Sequence, residues 1–181
     1  MTCLFQLCAE SQYGSSAVPV ALLAAAAVTA SSPTVIHGDY RIGNFAVKRD
    51  GSLGGLVDAF GRPTTLRRTG SVGCVAKWRP LRMEVRLYNL GGRNPCSRTG
   101  GRFGRATLVG RVWRTSKGLE IGDAVARVRR VYPRATENGA WWWLVTRRTP
   151  FGAAGRYPGL AAKVTRGRVV AFQVSYPAGG D

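Results

Sequence analysis

Acidic residues, lysine and histidine are all scarce in this chain, and each scarcity removes a class of reading. Nine Asp and Glu stand against 27 Lys and Arg over 181 residues, a formal net charge of +18. The lysines are Lys48, Lys77, Lys117 and Lys163, so arginine supplies the rest of the positive charge. The single histidine, His37, leaves little scope for a Ser/His or Cys/His nucleophile pair. Beyond the first forty residues stand two cysteines, which with one histidine cannot complete a four-ligand zinc site. Hence no catalytic group, metal or cofactor is expected. No apolar run reaches the roughly 18 residues of a membrane span. Residues 1–40 hold no Lys or Arg at all.

Hydrophobic residues make up 45% of the chain, enough for a core, and 24 glycines point to many turns and short elements. The charge favours anionic partners. Its dispersal along the chain, without a basic block, makes nucleic acid the less favoured of them. A GC-rich coding bias would also enrich Arg, Ala and Gly. Residues 1–32 differ from the rest. The apolar run 17–30 (AVPVALLAAAAVTA) followed by Ser31 and Ser32 fits the core and cleavage region of a signal peptide, although no basic residue precedes it. Export is therefore expected, to a secreted or cell-envelope location. Cys74 and Cys96, an even count 22 positions apart, fit the same compartment as a disulfide; two unrelated buried thiols are the alternative.

After the leader, strand patterns dominate and two stretches read as helical. Leu53, Leu56, Val57 and Phe60 form one apolar stripe, with Asp50 or Ser52 as N-cap and Gly61 and Pro63 as the stop. Val125, Val128 and Tyr132 form another, with Asp123 as N-cap and Pro133 as the stop. Leu53 and Val125, Leu56 and Val128, and Phe60 and Tyr132 are each 72 positions apart. Cys74–Trp78 reads as a strand. Leu81, Met83, Val85 and Leu87 alternate with Arg82, Glu84, Arg86 and Tyr88, a half-buried strand. Further strands are expected over 105–112 and 141–147, and a hairpin over 160–176 turning at Thr165-Arg166-Gly167. The expected class is α+β in two similar halves, 33–110 and 111–181, each one helix packed on a short antiparallel sheet.

Residues 37–44 read His-Gly-Asp-Tyr-Arg-Ile-Gly-Asn, with Asp58 downstream. This resembles the catalytic segment of aminoglycoside phosphotransferase-like kinases. The resemblance would make Asp39 the base and set Asn44 and Asp58 on Mg²⁺. The rest of the chain opposes it. Only 36 residues precede His37, without the lysine that such kinases place on the nucleotide phosphates. The stretch is read as a coincidence, with His37 and Asp39 exposed and Asp58 on the solvated side of a helix.

A wider likeness rests on Tyr40-Arg41-Ile42-Gly43, Ala59-Phe60-Gly61-Arg62-Pro63, Tyr88-Asn89-Leu90-Gly91-Gly92 with Cys96, Gly118-Leu119-Glu120-Ile121-Gly122-Asp123, Trp142-Trp143-Leu144-Val145-Thr146-Arg147 and the terminal Tyr176-Pro177-Ala178-Gly179-Gly180-Asp181. These segments resemble an uncharacterised exported family of actinobacteria. Its repeat plan is similar to β-lactamase-inhibitor-protein-like folds, whose members act by binding other proteins. The resemblance implies a binding role without naming a ligand.

The densest aromatic and basic region holds Trp141, Trp143, Arg147, Arg148, Arg156 and Tyr157. It suits stacking on sugars or anchoring a partner protein. Alternatively Trp142 faces the core while Trp141 and Trp143 lie under the loop 148–159. The expected function is an exported, non-enzymatic binding or scaffold protein, monomeric, whose partner is an unknown protein or an anionic polymer. The alternatives are a basic protein on nucleic acid or wall polymer, and a kinase fragment.

Overall fold

The computed structural model describes residues 34–149 and 155–177. The leader 1–32, with Cys3 and Cys8, lies outside them, as do Phe151 and residues 178–181. The elements in chain order are β1 (Thr34–His37), β2 (Arg41–Ile42), β3 (Phe45–Ala46), α1 (Leu53–Phe60), β4 (Thr65–Thr69), β5 (Gly73–Trp78), β6 (Met83–Tyr88), β7 (Arg102–Leu108), β8 (Trp113–Thr115), α2 (Val125–Val131), β9 (Thr136–Asn138), β10 (Trp141–Arg148), β11 (Arg156–Thr165) and β12 (Arg168–Ser175).

They form two sheets. The larger has eight strands in the order β4-β5-β6-β7-β12-β11-β10-β9, all antiparallel. The smaller has the order β3-β2-β1-β8, and its β1–β8 pair is parallel. The expected α+β class, with one helix on its own short sheet in each half, is overturned. Among the described residues strand accounts for 48% and helix for 11%. The helices are only eight and seven residues long. The two runs of four strands do not close into separate small sheets. They join where β12 pairs with β7, from Phe172↔Leu108 to Ser175↔Arg105. One sheet then has one core.

That core follows from the period of two. On β6, Met83, Val85 and Leu87 point inward while Arg86 is exposed. The inward row continues through Trp78, Leu108, Phe172, Ala162 and Trp142, strand by strand. Against it pack Leu53 and Leu56 of α1, Val128 of α2, and Ile36, Ile42, Phe45 and Trp113 of the small sheet, in one contiguous cluster. The helices and the small sheet therefore contribute to the same face of the large sheet.

The helix ends obey local rules with one substitution of roles. Ser52 caps α1, its hydroxyl accepting from the Gly55 amide at 3.2 Å. Gly61 closes it at φ 75°, a left-handed position that glycine takes freely. Asp50 instead accepts from the Ala46 amide and pairs with Arg49. At α2 the cap residue is Ala124. Asp123 accepts from the Glu120 amide at 2.8 Å and pairs with Arg127 at 3.1 Å, which tightens the turn before the helix. The hairpin turn between β11 and β12 places Arg166 at φ 51° and Gly167 at φ 71°, a pair of left-handed residues that matches strand twist.

Cys74 and Cys96 form a disulfide, with Cα atoms 5.3 Å apart. It fastens the glycine-rich loop after β6 to β5. The same loop touches α1: the Gly54 amide donates to the Arg98 carbonyl at 2.7 Å, and Arg98 pairs with Asp58 at 2.9 Å. No helix among the described residues is long and apolar enough to cross a membrane.

Candidate partner-binding face

The outward residues of the large sheet lie on its second face. One cross-strand row runs unbroken over all eight strands: Thr65, Lys77, Glu84, Thr107, Gln173, Ala161, Trp143 and Thr136. The next outward row along the strands carries Arg67, Val75, Arg86, Arg105 and Ser175. On the opposite side of the long row, Lys163 and Trp141 stand paired. Arg67, Lys77, Arg86 and Arg105 are exposed. The face is thus cationic toward β4 to β7 and aromatic toward β10.

The six residues singled out in the sequence fall into two groups on the β10–β11 hairpin. Trp141 and Trp143 share the outward face, half-buried, while Trp142 is buried on the core side under the Arg129 guanidinium, 5.1 Å from its ring. Arg147, Arg148, Arg156 and Tyr157 gather at the hairpin's other end, where Arg147 pairs with Tyr157 and Arg148 with Arg156. At about 3.3 Å per residue, Trp143 and Arg147 are about 13 Å apart along the strand. They do not form one site.

Arg147 is engaged. Its Nε donates to Asp39 Oδ2 at 2.6 Å and a second guanidinium nitrogen to Oδ1 at 2.9 Å, a two-pronged ion pair. The Asp39 side chain is 10% exposed, against 54% for Arg147. The expectation of an exposed Asp39 is corrected here: the turn after β1 folds onto β10 and β11. Gly159 makes the approach feasible, because any Cβ there would collide with the Asp39 carboxyl. A carboxylate committed to a guanidinium is poorly placed as a general base. Asp58 pairs with Arg98, and Asn44 sits exposed in the β2–β3 turn. Among the described residues no three His, Cys, Asp or Glu cluster as metal ligands.

Three tyrosines that sequence reasoning did not group form a cleft beside Arg147. Tyr88, Tyr157 and Tyr176, with Gln173, Ser175 and Arg105, line a hollow of about 270 Å³. Only Tyr157 was picked out in advance, since the others come from β6 and the segment after β12. Burial pushes the Tyr157 phenol above its ordinary range, and the Asp39 carboxylate adds to the shift. Burial likewise raises Tyr132. On the acid side, Lys77 and then Arg86 hold the Glu84 carboxyl below its usual value, and Arg49 with the Ala46 amide does so for Asp50.

These shifts fix the shape of the pH profile. A phenol raised on folding stabilises the fold fully below its ordinary value of about 10, and that contribution is lost as pH rises through the folded value. The lowered carboxylates stabilise the fold above about pH 4 to 4.5, and their contribution is lost as pH falls through the folded values. Thermal unfolding across pH should therefore show a plateau with both an acid and an alkaline limb. The double variant Tyr132→Phe, Tyr157→Phe should flatten the alkaline limb; an unchanged limb would refute its assignment to these phenols.

No protein-family model matches the chain, and no curated protein matches it. Among solved structures, an extracellular protein containing an SCP domain from Bacillus anthracis str. Ames is similar at 11% identity with a TM-score of 0.40. The likeness covers 68% of this chain and 42% of that one, so the chain spans less than half of that protein's length.

Proposed function

We propose that this chain is an exported, non-enzymatic binding protein that holds an acidic protein surface on the open face of its eight-stranded sheet. The observation that carries the reading is that face itself: a long cross-strand row that includes Trp143, flanked by Trp141, by the tyrosine cleft and by Arg67, Arg86, Arg105 and Lys163. Trp, Tyr and Arg on a rigid scaffold are what dominate binding energy at protein interfaces. The excess of positive charge complements an acidic partner and speeds its approach. The Cys74–Cys96 disulfide supports an oxidising compartment, and the resemblance to exported actinobacterial proteins points the same way.

The test places a photoreactive amino acid at Trp143, or at Arg130 as a control, and irradiates the protein with the producing cell's envelope and secreted fractions. A discrete acidic protein should crosslink at position 143 and not at 130, and Trp141→Ala should abolish the adduct. Equal labelling from both positions, or none, would overturn the reading. Retention on heparin with no protein adduct would favour an anionic polymer instead.

A further inference from the structure

We propose that the groove beside the turn between β5 and β6 binds a phosphate group carried by its ligand. The groove has a volume of about 500 Å³. Lys77, Arg79, Arg82 and Arg86 line it, against one acid, Glu84. That acid is already divided: one carboxylate oxygen faces Lys77 at 3.0 Å and the other faces Arg86 at 3.4 Å. Arg79 and Arg82 are exposed and have no acidic partner among the described residues. Beside them Val109 is 47% exposed, while Trp78 and Met83 border the groove from the buried inner row.

The turn that carries both arginines is tied down at every step. The Arg79 amide donates to the Thr64 hydroxyl at 3.1 Å, and the Arg82 amide to the Arg79 carbonyl at 3.0 Å. The Leu81 carbonyl accepts from the Trp113 indole at 2.7 Å, and the Arg82 carbonyl from the Val109 amide at 3.0 Å. Arg82 itself sits at φ 46°, a left-handed position that a glycine would take without strain. The hairpin turn between β5 and β6 thus fixes the backbone that carries both side chains. Gly110 keeps space beside it, since a Cβ there would lie 3.2 Å from Arg82 Cβ. Two guanidinium forks carried on this fixed backbone offer many donors, which suit the several oxygens of a phosphate better than a lone carboxylate does. Lys77, Glu84, Arg86 and Thr107 of the groove also belong to the outward face, whereas Arg79 and Arg82 sit at the β5–β6 turn; β5 and β6 lie four to five strand spacings, roughly 20 Å, from Trp143.

Two sources carry such a phosphate, a soluble ester and a phospholipid headgroup, and two probes separate them. Inorganic phosphate is titrated by calorimetry at near-physiological salt, and phosphatidylglycerol vesicles are compared with phosphatidylcholine vesicles by sedimentation. Arg79→Ala with Arg82→Gly is set against Arg130→Ala with Arg134→Ala, which removes equal charge from another exposed site. The glycine suits the φ of position 82, so folding is expected to be retained, as circular dichroism will check; Arg79→Ala alone serves if it is not. The groove pair should lose about tenfold or more in affinity and the control pair little. Binding of both probes would identify a soluble phosphate site, and binding of vesicles alone a lipid headgroup. Equal losses in the two pairs, equal competition by citrate, or no binding of either probe would each overturn the proposal. Crosslinking at Trp143 should be unaffected by the groove variants.

Discussion

Trp113→Ala should cost about 3–5 kcal/mol of folding stability, the range for emptying a buried aromatic site. Trp113 is 0% exposed and is the largest of the fully buried side chains. Its ring meets Phe60 of α1 edge-on with centroids 6.4 Å apart. Its backbone belongs to β8, which pairs with β1, and its indole donates to Leu81 between β5 and β6. One side chain therefore joins the small sheet, the first helix and the large sheet. Its removal leaves a cavity and strands the Leu81 carbonyl. Domains of this size have roughly 5–15 kcal/mol in all, so the urea midpoint should fall by about 2 M for a slope near 2 kcal/mol per molar. Trp113→Phe, which keeps most of the volume and loses the hydrogen bond, should cost about 1–2 kcal/mol. A loss below about 1 kcal/mol for the alanine variant would mean that the ring is not the junction described.

Breaking the disulfide is the second large effect. Its two cysteines are 22 residues apart, and closing a loop of that size is worth about 3 kcal/mol through the unfolded chain. The native side adds to this. Cys74 is buried on β5, and Cys96 anchors the loop whose Arg98 carbonyl receives the Gly54 amide of α1. Cys74→Ala with Cys96→Ala should lower stability by about 3 kcal/mol in chemical unfolding, and reductant should reproduce the loss in the native protein only. If the double variant lost under 1 kcal/mol, the loop would be held by its hydrogen bonds, among them Asn89 to the Gly100 carbonyl and Gly54 to Arg98. The two perturbations meet at α1, so their combination should depart from additivity.

How much of this was legible in the sequence depends on how local each signal is. The alternation from Met83 to Leu87, the turn at Arg166-Gly167 and the stripe at Leu53, Leu56 and Phe60 are properties of neighbouring residues, and they define β6, the β11–β12 hairpin and α1. The opposed facing of Trp142 against Trp141 and Trp143 is likewise simple parity. β4 gave no signal because it is an edge strand, with Thr65, Leu66, Arg67 and Arg68 all exposed. The class was misjudged because two clear helical stripes outweigh many short strands on paper, whereas the joining of the strands is settled by the register of β7 on β12. Asp39 looked like a surface or catalytic residue because its partner, Arg147, lies 108 positions away. Arg79 and Arg82 passed unnoticed among many arginines; the run Trp78-Arg79-Pro80-Leu81-Arg82 between two strands was the available clue.

The seam between β7 and β12 has a consequence for how the chain reaches this fold. β7 ends at Leu108 and β12 begins at Arg168, about 60 residues later. Each set of four strands can form by local hairpins, but the middle of the sheet closes only when the last strand arrives. Until then both inner strands present bare edges, and β12 is an apolar segment (Val169-Val170-Ala171-Phe172) suited to pairing with other copies of itself. Arg166 and Arg168 stand immediately before it, and Arg102 and Arg105 lie along β7. Like charges flanking an apolar strand oppose its pairing with other copies, and these arginines stand where that repulsion would act before there is any surface to bind with.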